Sequence, residues 1–316
     1  MLVDGLRPLW LQSLYEVDGN PISRVSEWVG DAQYYFDAPV GPNVASFVLT
    51  PGSTLVDTFA AEMSRFCSAA IETSIGIVRS TMPKSTAWLF IQAYYSAFYA
   101  AHSILRSVGI SASNLRSTEC IEADKIASAL GFNSAPLSAA QYRCEYLVGG
   151  GRLNCLKAPG PGIHEQFWRI FDGFLQNTMT AVMQNQQLAS SDAQDIFVKL
   201  NDLRSVLTWG NHSAGNWLSS IRNEVTYMQR HMAWFPYGRS RADCNRLFAL
   251  HRQWSREPES INLRTAMSTD AELFIVTCAF LVSLSVALVR DMALRHPTGD
   301  SFLIRGPLKL FNLSLY

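Results

Sequence analysis

Arg222, Asn223, Tyr227 and His231 stand in one short stretch of the chain, with Arg230 beside them. Asn223, Tyr227 and His231 are spaced by four, so on a helix they form one ascending row. Arginine stays charged at any ordinary pH and forks two hydrogen bonds to a phosphate. Asparagine can fix or orient such an anion, and histidine titrates near neutrality and moves protons. Tyr227 is a poor base, with a phenol pKa of about 10, but it can donate a hydrogen bond. His231 lies nine residues beyond Arg222, on the opposite side of a helix and roughly 13 Å along its axis. The two meet only if the helix bends or if a second copy supplies one of them. Arg290 with His296, and Arg246 with His251, repeat the arginine–histidine spacing. The six histidines should produce about one such match by chance. Arg290/His296 is preferred, since it ends a long apolar segment just before Pro297; Arg246/His251 is expected on a basic face.

Arg239, Arg241, Arg246 and Arg252 follow, interleaved with Trp234, Phe235, Tyr237 and Trp254. Such a run is either a solvated face or a track where RNA phosphates lie and bases stack. The balance of 26 Lys plus Arg against 26 Asp plus Glu excludes a strongly basic body and an acidic tail protein. Charged residues make up 16% and AVILMFWYC residues 48%, enough to bury a large core. Six dispersed cysteines without a CxxC pair, and an N-terminus without a basic, long apolar leader, suggest a reducing cytoplasm and buried free thiols. Cys144, Cys155 and His164 lack zinc-ligand spacing, so no metal is expected, and no cofactor either. Gly149-Gly150-Gly151-Arg152 lacks the GxxxxGK[ST] pattern and reads as a loop; no GxSxG or HExxH occurs.

The elements that must position these residues are helical by period. Prolines at 8, 21, 39, 42 and 51 break residues 1–52 into an irregular arm, with short strands near 33–36 and 45–49. Residues 53–316 are expected to form a helical domain with an insertion near 111–163. Its helices fall at about 57–79, 84–108, 119–130, 138–148, 164–188, 193–209, 217–234, 242–254 and 268–295. The helix over 84–108 is apolar nearly all round and reads as an enclosed spine, with Ala93, Ala97 and Ala101 giving a shallow stripe. Its Tyr94, Tyr95 and His102 read as buried groups with satisfied polar atoms. Phe274 to Val289 has 16 residues, short of the roughly 20 needed for a membrane span; a buried helix is expected, with a membrane-disrupting segment as the alternative. The expected fold class is all-α.

Two stretches carry a resemblance. Ala93-Tyr94-Tyr95-Ser96-Ala97-Phe98-Tyr99-Ala100-Ala101-His102-Ser103-Ile104-Leu105 resembles the YYSAFxAAxxLL helix of the HEPN superfamily, and Ile221-Arg222-Asn223-Glu224-Val225-Thr226-Tyr227 resembles the start of that superfamily's Arg-x4–6-His motif. The resemblance implies a HEPN-like helical bundle that pairs as a homodimer. It further implies a metal-independent endoribonuclease or RNA-binding effector of phage defence or toxin type, with single-stranded RNA as substrate and an antitoxin or other protein as partner. Arg222 would hold the scissile phosphate, Asn223 orient it, His231 or His296 move protons, and Tyr227 donate. The departure is Tyr227, which stands where the motif has histidine. It favours the alternative of a catalytically silent binding or scaffold subunit, in which the Arg222–Asn223 row stabilises a helix interface; a plainer reading is that Arg222 and Asn223 pair with a carboxylate and cap a neighbouring turn.

Overall fold

Five strands, β1 (Tyr34–Gly41), β2 (Val44–Leu49), β3 (Ile110–Leu115), β4 (Ala140–Leu147) and β5 (Arg152–Lys157), form one antiparallel sheet in the order β1-β2-β5-β4-β3. This overturns the all-α expectation: the protein is mixed, 66% helix and 11% strand. The computed structural model describes the chain except at residues 12, 19–22, 32, 42, 80–85, 134, 161, 232, 235–243, 264–268 and 315–316.

The expected helix at 138–148 is strand β4. Tyr142, Cys144 and Tyr146 alternate along it, a period of two that places them on one face of the sheet. Cys144 sits directly opposite Cys155 of β5, with their sulfurs 3.1 Å apart. The glycine run at 149–151 is the hairpin turn between these strands, and Gly151 takes the left-handed conformation (φ 57°) that lets it close.

Helices α1 (Leu2–Leu6) and α2 (Val25–Gly30) belong to the N-terminal arm. The Tyr34 hydroxyl of β1 donates to the Val29 carbonyl at 2.7 Å, and its ring packs 5.3 Å from Trp28, so α2 is fastened to the sheet. Next come α3 (Leu55–Arg79), α4 (Ala87–Ser107), α5 (Ser117–Ala129), α6 (Ile163–Gln184), α7 (Ser190–Leu207), α8 (Trp217–Met228), α9 (Cys244–His251), α10 (Asp270–Leu294), α11 (Phe302–Arg305) and α12 (Pro307–Ser314). As its all-round apolar sequence requires, α4 is enclosed, touching α3, α10, α8 and α6. Its Ala93, Ala97 and Ala101 are fully buried, where small side chains allow close helix approach. The apolar helix α10 is long enough by length and composition to cross a membrane, yet 94% of its apolar window is buried against the rest of the protein. It serves as the second core helix.

One polar cluster ties this core together. Arg106 of α4 donates from Nε to Glu62 of α3 at 2.9 Å and pairs with Nδ1 of His102 at 2.8 Å, all three side chains being buried. The other oxygen of Glu62 accepts the Val25 amide of α2 at 3.3 Å. His102 stacks between Phe66 and Phe167, with centroids at 4.6 and 4.0 Å. Burial, then Arg106, then His164 hold its pKa well below the usual histidine range, so it is neutral and can accept from the guanidinium. Removing one partner of such a pair leaves an uncompensated buried charge. Glu62→Ala is therefore expected to lower unfolding free energy by about 3–5 kcal/mol in denaturant melts, while Glu62→Leu combined with Arg106→Met recovers most of that loss. A single-variant loss below about 1 kcal/mol, the scale of an exposed ion pair, would contradict this reading.

Candidate functional site

Arg222 sits on the buried side of α8, between Ile221 and Val225 in the helical pattern. Its guanidinium lies 5.0 Å over the ring of Tyr94 and 5.9 Å from that of Tyr95. Only 6% of the residue is exposed, Nε has no hydrogen-bond partner, and among the described residues no carboxylate pairs with it. Among the described residues the expected carboxylate partner is thus missing, and the guanidinium makes a polar contact with Tyr94. Cation–π attraction offsets only a part of what desolvation takes away.

His164 is the residue that joins it. The breaker run before α6 ends at Gly162, which takes φ 81° and starts the helix without a side-chain cap. His164 follows in the first turn, half-buried, with Nδ1 2.8 Å from the Tyr94 hydroxyl. One turn later, Trp168 donates its indole N–H to the same hydroxyl at 3.1 Å. Burial and then the nearby Arg222 push the His164 pKa down to about 4, so the ring is neutral at pH 7. Burial raises Tyr94 to about 12, against the lowering effects of Trp168, Ser219 and Arg222. The result is a guanidinium, a neutral imidazole and a phenol from α8, α6 and α4, beside the half-buried ring of Tyr95.

The remaining candidates go elsewhere. Helix α8 stops at Met228 because Gln229 turns left-handed (φ 52°) and its amide caps the Glu224 carbonyl. His231 (φ 63°) then folds back to place Nε2 2.9 Å from Glu224, so it does not continue the row of Asn223 and Tyr227. Asn223 is half-buried, and Tyr227 is 73% exposed. Arg230 is exposed, 3.8 Å from Glu224. Arg290 pairs with Glu257 at 2.7 Å and lies over Phe311. His296, beyond the end of α10, is buried, with Nε2 3.2 Å from Asp18 and Nδ1 3.1 Å from the Thr298 hydroxyl. The Arg290/His296 pair is thus divided between separate partners.

The proposed basic track is also divided. Arg246 forks onto Glu272 at 2.6 and 3.2 Å, Arg252 is exposed just after α9, and Trp254 is buried and unable to stack on a base. Arg239 and Arg241 lie outside the described residues. His251 does not form part of a basic face: it is fully buried with both ring nitrogens unpartnered, and burial pushes its pKa down to about 3. Among the described residues no group of His, Cys, Asp or Glu could hold a metal ion.

Spacing could not have linked His164 to Arg222, since 58 residues separate them. The available signal was local: a Pro-Gly breaker run delivering a histidine to a helix start, with a tryptophan four residues on. In a pH titration followed by NMR, the His164 ring is expected to change protonation near pH 4, not near 6.5. Between those values the unfolded chain binds the extra proton, so His164 contributes a loss of stability as pH falls from 6.5 to about 4 and none above. His102 and His251 act in the same direction, so the resolved His164 resonance is the deciding measurement; a midpoint near 6.5 would show an open, unburied ring. Comparison with known proteins assigns no family: no family model, no curated protein and no solved structure matches the chain.

Proposed function

We propose that the protein is a metal-independent RNA-directed effector that holds a backbone phosphate at Arg222 and cleaves the strand there. The observation that carries this reading is the buried Arg222 guanidinium, with no carboxylate pairing with it among the described residues, beside the half-buried His164 imidazole. A buried charge lacking a counter-ion is strongly destabilising, and an arriving phosphate would neutralise it. The start of α6 adds open backbone amides and the positive end of a helix dipole, both of which favour an anion. The local resemblance of α4 and the start of α8 supports RNA as the source of the phosphate. Since His231 is engaged by Glu224 and His296 is buried beyond the end of α10, away from Arg222's neighbours, His164 replaces them as the proton-handling group in this proposal. Two copies acting together belong to the same reading.

A second reading, a silent binding subunit, is favoured by the depth of Arg222, whose planar group is sandwiched under two tyrosines. One experiment separates the two. Purified protein is incubated with mixed-sequence RNA in EDTA, and product ends are mapped for 2′,3′-cyclic phosphates. Wild type is expected to cleave, with Arg222→Ala and His164→Ala each slower by about 100-fold or more, the usual contribution of a positioned acid–base group. Equal cleavage by wild type and Arg222→Ala removes the enzyme reading. RNA retention on a filter without cleavage leaves binding alone, and neither signal, with Arg222→Ala merely less stable, leaves the scaffold.

A further inference from the structure

Cys144 and Cys155 are two free thiols that the sheet brings into contact. They are partners across β4 and β5, both are fully buried, and the Cys155 thiol donates to the Cys144 sulfur at 3.1 Å. The other four cysteines stand on α3, α5, α9 and α10. Backbone hydrogen bonds fix the kind of position the pair occupies. The Ala158 amide donates to the Gln141 carbonyl at 2.9 Å, so the backbone polar groups of Gln141 face β5. The Tyr146 amide donates instead to the Gly109 carbonyl at 2.9 Å, on the β3 side. Successive residues of a strand alternate in this respect, so Cys144, like Tyr146, turns its amide and carbonyl away from β5. Cys144 and Cys155 are therefore a non-hydrogen-bonded antiparallel pair, the closer of the two kinds, with α-carbons about 4.5 Å apart. That separation lies within the roughly 4.4–6.8 Å that a disulfide spans. The sulfurs need to approach by only about 1 Å to reach a bond length of roughly 2 Å. Their neighbours in the same row of the sheet are small, Ser111 of β3 beside Cys144 and Ala45 of β2 beside Cys155, so no bulky side chain in the row bars that approach.

We propose that Cys144 and Cys155 are a redox modification site: they close into a cross-strand disulfide by exchange with a small-molecule disulfide while the hairpin is uncovered, and folding seals whichever state is present. In the exchange, the Cys144 thiolate attacks one sulfur of the reagent and expels one thiolate. The Cys155 thiolate then attacks the Cys144 sulfur of the mixed disulfide and expels the second. The protons shed by the two cysteines go to the two leaving thiolates, so one reagent disulfide becomes two thiols and the protein gives up two electrons. Sealing follows from burial. The thiolate is the reactive form, and burial, then the neighbouring Cys144, hold the Cys155 thiol well above its ordinary pKa. Neither cysteine is exposed to solvent in the folded chain. The hairpin itself is local: eleven positions separate the two cysteines, and such hairpins form in about 1–10 μs. Pairing with β2 and packing of the helices need far longer loops to close, so the thiols meet before they are covered. This chemistry is independent of the role given to Arg222.

The test uses the full chain, unfolded and reduced in guanidinium, then refolded either with oxidised glutathione or with excess reductant. Free thiols are blocked with iodoacetamide in denaturant, and peptides are mapped without reduction by mass spectrometry. Oxidative refolding is expected to yield a peptide pair joined through Cys144 and Cys155, two hydrogens lighter than its parts, and a higher guanidinium midpoint than the reduced protein shows. Cys144→Ser and Cys155→Ser are each expected to abolish the joined peptide. Folded, reduced protein given the same reagent is expected to form the link at least about 100-fold more slowly than the unfolded chain, since only opened molecules react. Both cysteines alkylated after oxidative refolding, or joined to other cysteines, overturns the site. Equal rates in the folded and unfolded chain overturn the sealing, and a lower midpoint for the linked protein overturns the fit of the bond to the sheet.

Discussion

Helix α4 is surrounded by other helices, so each polar side chain it carries or touches must find a partner or destabilise the core. Two buried guanidiniums meet this constraint in opposite ways. Arg106 is neutralised by Glu62 and hydrogen-bonded to His102, and this cluster fixes α2, α3 and α4 to one another. Arg222 reaches the same helix from α8, over the rings of Tyr94 and Tyr95 and in polar contact with Tyr94, with no carboxylate pairing with it among the described residues. One buried arginine is paired with a carboxylate and the other, among the described residues, is not, and that contrast singles out the surroundings of Arg222.

The histidines follow the same logic. His102 and His164 each have Nδ1 within 2.8 Å of a donor-bearing neighbour and are kept neutral by burial and a nearby arginine. They differ in access. His102 is closed between Phe66 and Phe167, while His164 stands at a helix start and is only half-buried. The second stays accessible because the chain there breaks and restarts, and its ring is hydrogen-bonded at Nδ1.

Much of the helical framework was legible because long 3.6-residue periods leave few alternatives; α4, α6, α7 and α10 fall close to their expected bounds. The sheet was not. Tyr142, Cys144 and Tyr146 alternate within a stretch that also contains well-behaved helix formers, and the choice was made by β5, a partner that local pattern cannot reveal. Arg222 was legible as a candidate, but its histidine was sought at a fixed spacing along one helix. His231 failed because a left-handed residue at Gln229 ends α8 before it, and His296 because the chain after α10 carries it towards Asp18. Convergence of α4, α6 and α8 belongs to tertiary packing, which no spacing rule encodes.

The order of the strands has a consequence for how the chain is made. Val48 of β2 pairs with Arg152 of β5, so the first hairpin leaves the ribosome long before the segment that will flank it has been synthesised. Until then β2 carries a bare edge, the kind of surface that recruits stray strands from other chains. Closure of the sheet is thereby tied to translation of the glycine turn at 149–151, and assembly of the N-terminal third waits on the middle third.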